Sequence, residues 1–313
     1  MKEKSCLHRT SIGGQAIMEG VMMRGPEKTI LAVRNPQGEI VVEPIADDAR
    51  FKKIKKIPIV RGVFNFISSL TTGFKAINRS TEIALTEEEQ QPDKFDQWLL
   101  DHFGEKGTKV VLGVTLVLGV ALALGLFIFL PYLIGRGIEI AFSWDSGRWL
   151  SLIEGVARIL IFLCYLAAVR NMKEIKRLFA YHGAEHKTIH CYEHGEELTV
   201  ENVRRYTTLH KRCGTNFLFI VMLIAILIFS FINVDNGILR LVLRLALLPV
   251  VAGLSYEVIK FAGRFDNWFT TLISYPGLML QKLTTAEPDD GMLEVAITSL
   301  TAVIPENKEE DTW

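Results

Sequence analysis

No charged side chain occurs between residues 110 and 134, and this run limits the chain more than any other feature. A helix of that length crosses the roughly 30 Å hydrocarbon core of a bilayer. Residues 149–169, 217–234 and 237–261 are also long and apolar and read as three further spans. The bulk composition agrees, since 49% of residues are hydrophobic and the mean hydropathy of +0.25 is high for a soluble protein. Glu154 and Arg158 lie four residues apart inside the second span and read as an internally satisfied i,i+4 ion pair. Arg240 and Arg244, near the start of the fourth span, read as side chains that snorkel to the interface.

Basic residues set the orientation. Residues 170–216 hold nine Lys and Arg, whereas the short connections within each helical pair hold few or none outside the span ends. The positive-inside rule then predicts two transmembrane hairpins, with both termini and the central loop cytosolic. The formal net charge is zero, which argues against a nucleic-acid partner. The four cysteines show no CxxC spacing and no signal peptide is recognised, which argues against a disulfide framework. Walker A, dinucleotide and G-x-S-x-G fingerprints are absent, so nucleotide hydrolysis and a serine nucleophile elbow are disfavoured.

The polar segments are expected to form a cytosolic α+β domain in an otherwise mostly α, polytopic membrane protein of about four spans. Its parts are an N-terminal segment (1–109), transmembrane hairpins at 110–169 and 217–262, a central loop (170–216), and a C-terminal segment (263–313). Residues 28–34 and 39–45 flank Asn-Pro-Gln-Gly and read as a β-hairpin, whereas residues 11–26 are Gly- and Met-rich with no clear period. Residues 54–77 form an amphipathic helix, either packed on the domain or lying on the membrane surface. Residues 86–96 read as a solvated acidic linker. Residues 263–285, interrupted by Pro276 and Gly277, read as an interfacial or re-entrant element, and residues 288–300 as a helix capped by Asp289 and Asp290. Residues 305–313 are expected to be disordered.

The chemistry concentrates in residues 181–215, which hold five of the seven histidines and two of the four cysteines. His182, His186, His190 and His194 recur every four residues, the spacing of one helical face. His182-Gly-Ala-Glu185-His186 fits H-x-x-E-H, in which two histidines bind zinc and the glutamate serves as base. His210 and Cys213, three residues apart, supply candidate further ligands, as does Glu193. Zinc best matches mixed N, S and O donors. The alternative is a polar, hydrogen-bonded core that buries these groups without metal.

GGQAIMEGVMMRGP near the start, YHGAEHK, CYEHGEELTVENV and HKRCGTNFL in the middle, and PGLMLQKLTTAEPDDGMLEVAI near the end resemble the YqhQ-like family of bacterial membrane proteins. That family has no known function and is labelled as predicted metal-dependent enzymes. The resemblance carries over Gly14, Gln15, Glu19, Gly20, Met23, Arg24 and Gly25 from the first motif. It carries over His182, Glu185, His186, Lys187, Glu193, His210, Arg212, Cys213, Gly214 and Thr215 from the middle. Gln281, Thr284, Thr285, Glu287 and Pro288 come from the last. His190 and His194 fall outside the pattern.

Two functions follow as expectations. In the first, the chain is a metal-dependent hydrolase at the cytosolic face, with His182, His186 and His210 or Cys213 as ligands. Glu185 or Glu193 is then the base, and Lys187 or Arg212 stabilises an oxyanion. Glu19 and Arg24 serve either as an acid or anion clamp or as parts of a tight structural turn. In the second, the chain is a non-catalytic scaffold or biogenesis partner, embedded among membrane lipids and docking another membrane complex.

Overall fold

The computed structural model describes residues 8–46, 57–86, 94–142, 149–232, 234, 236–264 and 268–312. Four antiparallel strands, β1 (Gly13–Ile17), β2 (Gly20–Arg24), β3 (Thr29–Arg34) and β4 (Ile40–Ile45), form a sheet in sequential order. The β3–β4 hairpin forms where its turn residues predict it, with Arg34 opposite Ile40 and Gly38 at a φ of +87° that glycine adopts freely. The β1–β2 hairpin, with Gly14 opposite Met23, is the element that periodicity misses. On β2 the cause is burial on both faces, whereas β1 is a short, partly exposed Gly-Gly-Gln-Ala-Ile segment. Val21, Met23, Ile30 and Ala32 enter one core, while Met22, Leu31 and Val33 enter another. No polar face remains to alternate with the apolar one.

Helices α5 (Lys173–Glu193) and α10 (Asp290–Val303) supply the first of these cores through Tyr181, Ala184, Ile189, Leu293, Ala296 and Leu300. Helix α1 (Val60–Ala84) covers the opposite face, where Ala76 packs beside Leu31 and Val33. Ser68, Thr72, Ala76 and Ser80, spaced one turn apart, are its buried stripe, and small side chains at that spacing let the helix approach the sheet closely. Its bulky residues, including Leu70 and Phe74, point outward. Asp289 caps α10 by accepting from the Met292 amide at 2.8 Å, the capping that its sequence predicts.

Two compact units divide the chain. Unit 1 comprises Met1–Ala84, Leu166–Ile224 and Leu245–Trp313, and unit 2 comprises Leu85–Tyr165 and Ala225–Arg244. Among the described residues, three helical segments are long and apolar enough to cross a membrane: Gly113–Phe142, Trp149–Val169 and Gly237–Ala262. The first runs through α2 (Lys94–Leu124), a π-helical turn (Gly125–Phe129) and α3 (Leu130–Phe142); the others lie in α4 (Trp149–Val169) and α8 (Gly237–Arg264). The remaining expected span is the shorter apolar helix α7 (Gly214–Ser230). Most of the expected acidic linker lies outside the described residues, and α2 has already begun at Lys94.

Three expectations are corrected: the Glu154–Arg158 ion pair, the snorkelling of Arg244 and the disorder of residues 305–313. Glu154 pairs with Arg244 at 2.5 Å, whereas Arg158 donates to the Phe127 carbonyl at 2.7 Å. Arg244 is therefore buried inside unit 2 and does not snorkel outward, because a carboxylate on α4 offers it a partner there. Residues 268–284 form the continuous helix α9 (Trp268–Thr284), which passes through Pro276. The C-terminal residues are ordered by Asp311, whose side chain is wholly buried. Its carboxylate accepts from Thr10 Oγ1, from the Ser11 amide at 3.2 Å and from Tyr192 Oη at 2.8 Å, and lies 3.1 Å from His8 Nε2. Nothing in the local composition of the tail announces these partners, which lie far away in sequence. Asp311→Ala leaves several buried donors unmatched and is expected to destabilise unit 1 by about 3 kcal/mol. Thermal unfolding in detergent, together with faster proteolysis near residues 8–12, checks this.

Candidate metal centre

Helix α5 brings His182 and His186 together because they are one turn apart, with ring centroids at 4.4 Å. Each ring is fixed by a backbone carbonyl. His182 Nδ1 lies 2.9 Å from Thr284 O and His186 Nδ1 lies 2.5 Å from Thr208 O. A carbonyl oxygen only accepts, so both Nδ1 atoms carry protons, and in the neutral rings both Nε2 atoms hold the lone pair. His182 Nε2 faces Cys213 Sγ at 3.1 Å. His186 Nε2 is buried, has no hydrogen-bond partner among the described residues, and lies 3.4 Å from Glu185 Oε2. One ligand atom each from His182, His186 and Cys213 falls within 4.8 Å of the others.

Cys213 arrives from a connection whose position is set by α9. Gln281 is wholly buried, accepts from the His210 amide at 2.8 Å, and donates to the His210 carbonyl at 2.8 Å and to Asn216 Oδ1 at 3.1 Å. This double clamp holds the chain on both sides of Cys213. The thiol then sits at the start of α7, where the Thr215 amide donates to Sγ at 3.3 Å. Burial alone raises a thiol pKa, but His186 and His182 outweigh it and bring Cys213 well below its usual value. Burial would lower His182, yet Cys213 and Glu185 raise it to about 9. The shifts are mutual: the thiolate favours the charged form of His182, and the two imidazoles favour the thiolate.

Glu185 comes from the same turn of α5 and is 4% exposed. Its Oε1 accepts from the Gly14 amide at 2.9 Å. A Cβ on Gly14 would stand 2.6 Å from Glu185 Cγ, so the glycine makes room for the carboxylate beside β1. Burial raises the Glu185 pKa against the lowering effect of the two histidines.

His210 is brought to a different group. It joins His190 and Glu193, again with ligand atoms within 4.8 Å of each other. His210 Nε2 lies 3.5 Å from Glu193 Oε2, while Glu193 Oε1 accepts from Arg212 and from the Thr10 amide at 3.0 Å. His190 Nε2 lies 2.8 Å from Leu209 O, and burial lowers both the His190 and His210 pKa values to about 3. His190, outside the family motif, therefore belongs to a buried polar network, and His194 Nδ1 lies 2.7 Å from the His190 carbonyl. The histidine ladder of α5 is shared between two groups.

The other motif residues hold the framework. Lys187 Nζ donates to Glu287 and to Arg204 O at 3.0 Å. Glu19, at a φ of 47° in the β1–β2 turn, binds Arg177 and accepts from Tyr181 Oη at 3.2 Å. Its pKa is lowered chiefly by the Arg177 hydrogen bond, against the opposing effect of burial. The Gln15 carboxamide lies against Gly73 of α1, and Arg24 ends β2 opposite Gly13 and Thr29. Glu19 thus lies in a tight turn with its carboxylate engaged by Arg177 and Tyr181. The site's remaining participants, Thr208 O, Thr284 O and the Gly14 amide, are backbone groups. No side-chain pattern reveals them, although the final motif contains Thr284 itself.

The chain matches the protein family described as "Protein of unknown function (DUF1385)" over residues 57–306. It is 34% identical over 297 residues to the uncharacterized protein YqhQ of Bacillus subtilis (strain 168), covering 93% of this chain and 92% of that one. No solved structure matches.

Proposed function

Because the chain belongs to the DUF1385 family, which carries no assigned activity, its function must come from the site, and we propose a membrane-embedded, metal-dependent hydrolase. One divalent transition ion, with zinc the best match to the donors, is held by His182, His186 and Cys213. The observation that carries this reading is the buried His186 Nε2, which makes no hydrogen bond among the described residues and adjoins a low-pKa thiolate. Two further features support it: carbonyls on both Nδ1 atoms and the Thr215 amide on Sγ are the outer partners that orient metal ligands.

Zinc at such a three-ligand site supplies Lewis acidity and lowers the pKa of water in its open position. Glu185 is the base. Gly14 aims its carboxylate, and burial raises its pKa against the two histidines, the direction that suits a proton-exchanging group. Three helices long enough to span a bilayer anchor the chain. The nine basic residues of the central segment favour a cytosolic location for the site. A cytosolic site beside the bilayer suits a substrate bearing a hydrolysable ester, phosphodiester or peptide bond.

A second reading has its own support. The burial of Glu185 and its bond to Gly14 also suit a fourth ligand, which would close the site and make it a structural element of a scaffold. Glu185→Gln separates the two. As base, Glu185 is dispensable for metal, so the variant keeps the wild-type metal content while turnover of chromogenic esters or phosphodiesters falls about 100-fold or more. Loss of metal from the variant, with no hydrolysis by the metal-loaded wild type, would replace the enzyme by the scaffold.

A further inference from the structure

Unit 2 contains a second cluster of buried polar groups, made of charges rather than metal donors. Glu154 and Arg158 project from α4, and Arg244 comes from α8. Glu154 and Arg244 are 1% and 4% exposed. Both guanidinium groups flank one aromatic ring, with Cζ of Arg158 at 6.0 Å and Cζ of Arg244 at 5.6 Å from the Phe229 centroid. Close packing holds the carboxylate in place, since a Cβ on Gly135 of α3 would stand 3.1 Å from Glu154 Cγ. Arg158 is steadied by the Phe127 carbonyl, which lies in the π-helical turn of the first apolar segment. Such turns release carbonyls from regular pairing and recur at functional positions.

The cluster is unbalanced twice over. One carboxylate faces two guanidinium groups, which leaves a net charge of +1 among these three residues. Its hydrogen bonding is also incomplete. Arg244 Nη2 reaches Glu154 Oε2 at 2.5 Å without the alignment of a hydrogen bond, and among the described residues Arg244 Nε, Arg244 Nη2 and Glu154 Oε1 have no hydrogen-bond partner. Arg158 lies nine residues into α4, about 13 Å along the helix, and so at hydrocarbon depth if α4 spans a bilayer. An uncompensated guanidinium there is costly, and water satisfies donors without cancelling charge.

We propose that this arginine pair binds a singly charged anion, either a free halide-sized ion or the phosphodiester of a lipid headgroup. Both sources share the chemistry that the cluster lacks: one negative charge and several hydrogen-bond acceptors. Arg244 and Arg158 provide the charge and donors, Phe229 fixes their separation, and Glu154 limits the site to one charge. The inference uses the membrane reading of α4 and α8 and is independent of whether His182, His186 and Cys213 bind metal.

The test uses the full chain in detergent. Thermal unfolding is followed while bromide replaces gluconate at constant ionic strength. Native mass spectrometry follows retention of phosphatidylglycerol through delipidation. A saturable rise in melting temperature with bromide identifies the free ion, and one retained lipid per chain identifies the headgroup. Either response is expected to weaken at least tenfold in Arg158→Gln, survive in part in Arg158→Lys, and strengthen in Glu154→Gln, where the competing carboxylate is gone. Arg240→Gln, which alters a bond to Val234 O rather than the cluster, should leave the response unchanged. The proposal is overturned if wild-type protein shows no saturable response to either probe. A response that is unchanged in Arg158→Gln overturns it equally. The wild-type titrations decide even if one variant does not fold, and a metal-free protein can still give the positive result.

Discussion

Cys213→Ser is expected to remove the bound metal, lowering zinc affinity by more than about 100-fold. Loss of an outer partner alone typically costs 10- to 100-fold, and here a directly bound thiolate is exchanged for a hydroxyl that remains protonated. His186→Ala should act in the same direction, because His186 Nε2 makes no hydrogen bond among the described residues and faces the Cys213 thiol as a candidate ligand. The internal control is Cys191→Ser. Cys191 is also buried, but burial raises its pKa to about 11 and its thiol contacts Glu197 O at 3.6 Å, so its loss should leave metal content unchanged. If the metal binds only the folded form, chelation should also lower the unfolding temperature; an ion at 1,000 times its dissociation constant stabilises by about 4 kcal/mol. Elemental analysis beside unfolding curves checks both effects. Metal-free wild type that takes up no added zinc, or a Cys213→Ser protein with normal metal content, would sink the metal reading.

The second large effect is expected at Gly183, between the two histidines of the motif. A Cβ there would stand 2.1 Å from the Ala286 carbonyl oxygen and 3.1 Å from Thr208 Cγ2. The first obstacle is backbone, and Ala286 is itself pinned by donation of its amide to Phe179 O at 2.8 Å. Gly183→Ala therefore forces α5 away from residues 208 and 284–286, whose carbonyls orient His186 and His182. The expected cost is about 3 kcal/mol, at the upper end for overpacking, with weaker metal binding as a consequence. Gly214→Ala is the matched comparison, because nothing lies within 4 Å of the added Cβ. Melting temperatures of the two variants decide the point: if they fall equally, the close approach at Gly183 does not matter.

Gly183 also shows where reading the sequence stops. H-x-x-E-H places His182, Glu185 and His186 on neighbouring positions of one helix, and that relation follows from 3.6 residues per turn. The need for glycine at the second position comes from Ala286, about a hundred residues later. The same distinction separates Cys213 from His210. Both lie in one short motif with metal-ligand types, yet Gln281 clamps the chain so that Cys213 meets His182 while His210 turns toward Glu193. Spacing of three residues could not distinguish the two, because the separation depends on a side chain from α9.

Within the membrane-like helices the division is similar. Length and apolarity along the chain identify the segments, since each residue contributes to transfer independently of its neighbours. The partner of Glu154 is not a local property. Arg158 is within i,i+4 reach, but Arg244 is brought to the carboxylate by α4–α8 packing, and Phe127 O satisfies Arg158 instead.

By itself the sequence determined what short-range physics governs: the apolar helices, the Asn-Pro-Gln-Gly hairpin, the Asp289 cap and the histidine pair of α5. Only the tertiary structure decided the doubly buried β2 and β3, the anchoring of the tail through Asp311, the choice of Cys213 as partner of His182, and the Glu154–Arg244 pair. Helical and turn signals arise from residues a few positions apart and survive in one dimension. Burial on two faces and pairing across long stretches of chain depend on which surfaces meet.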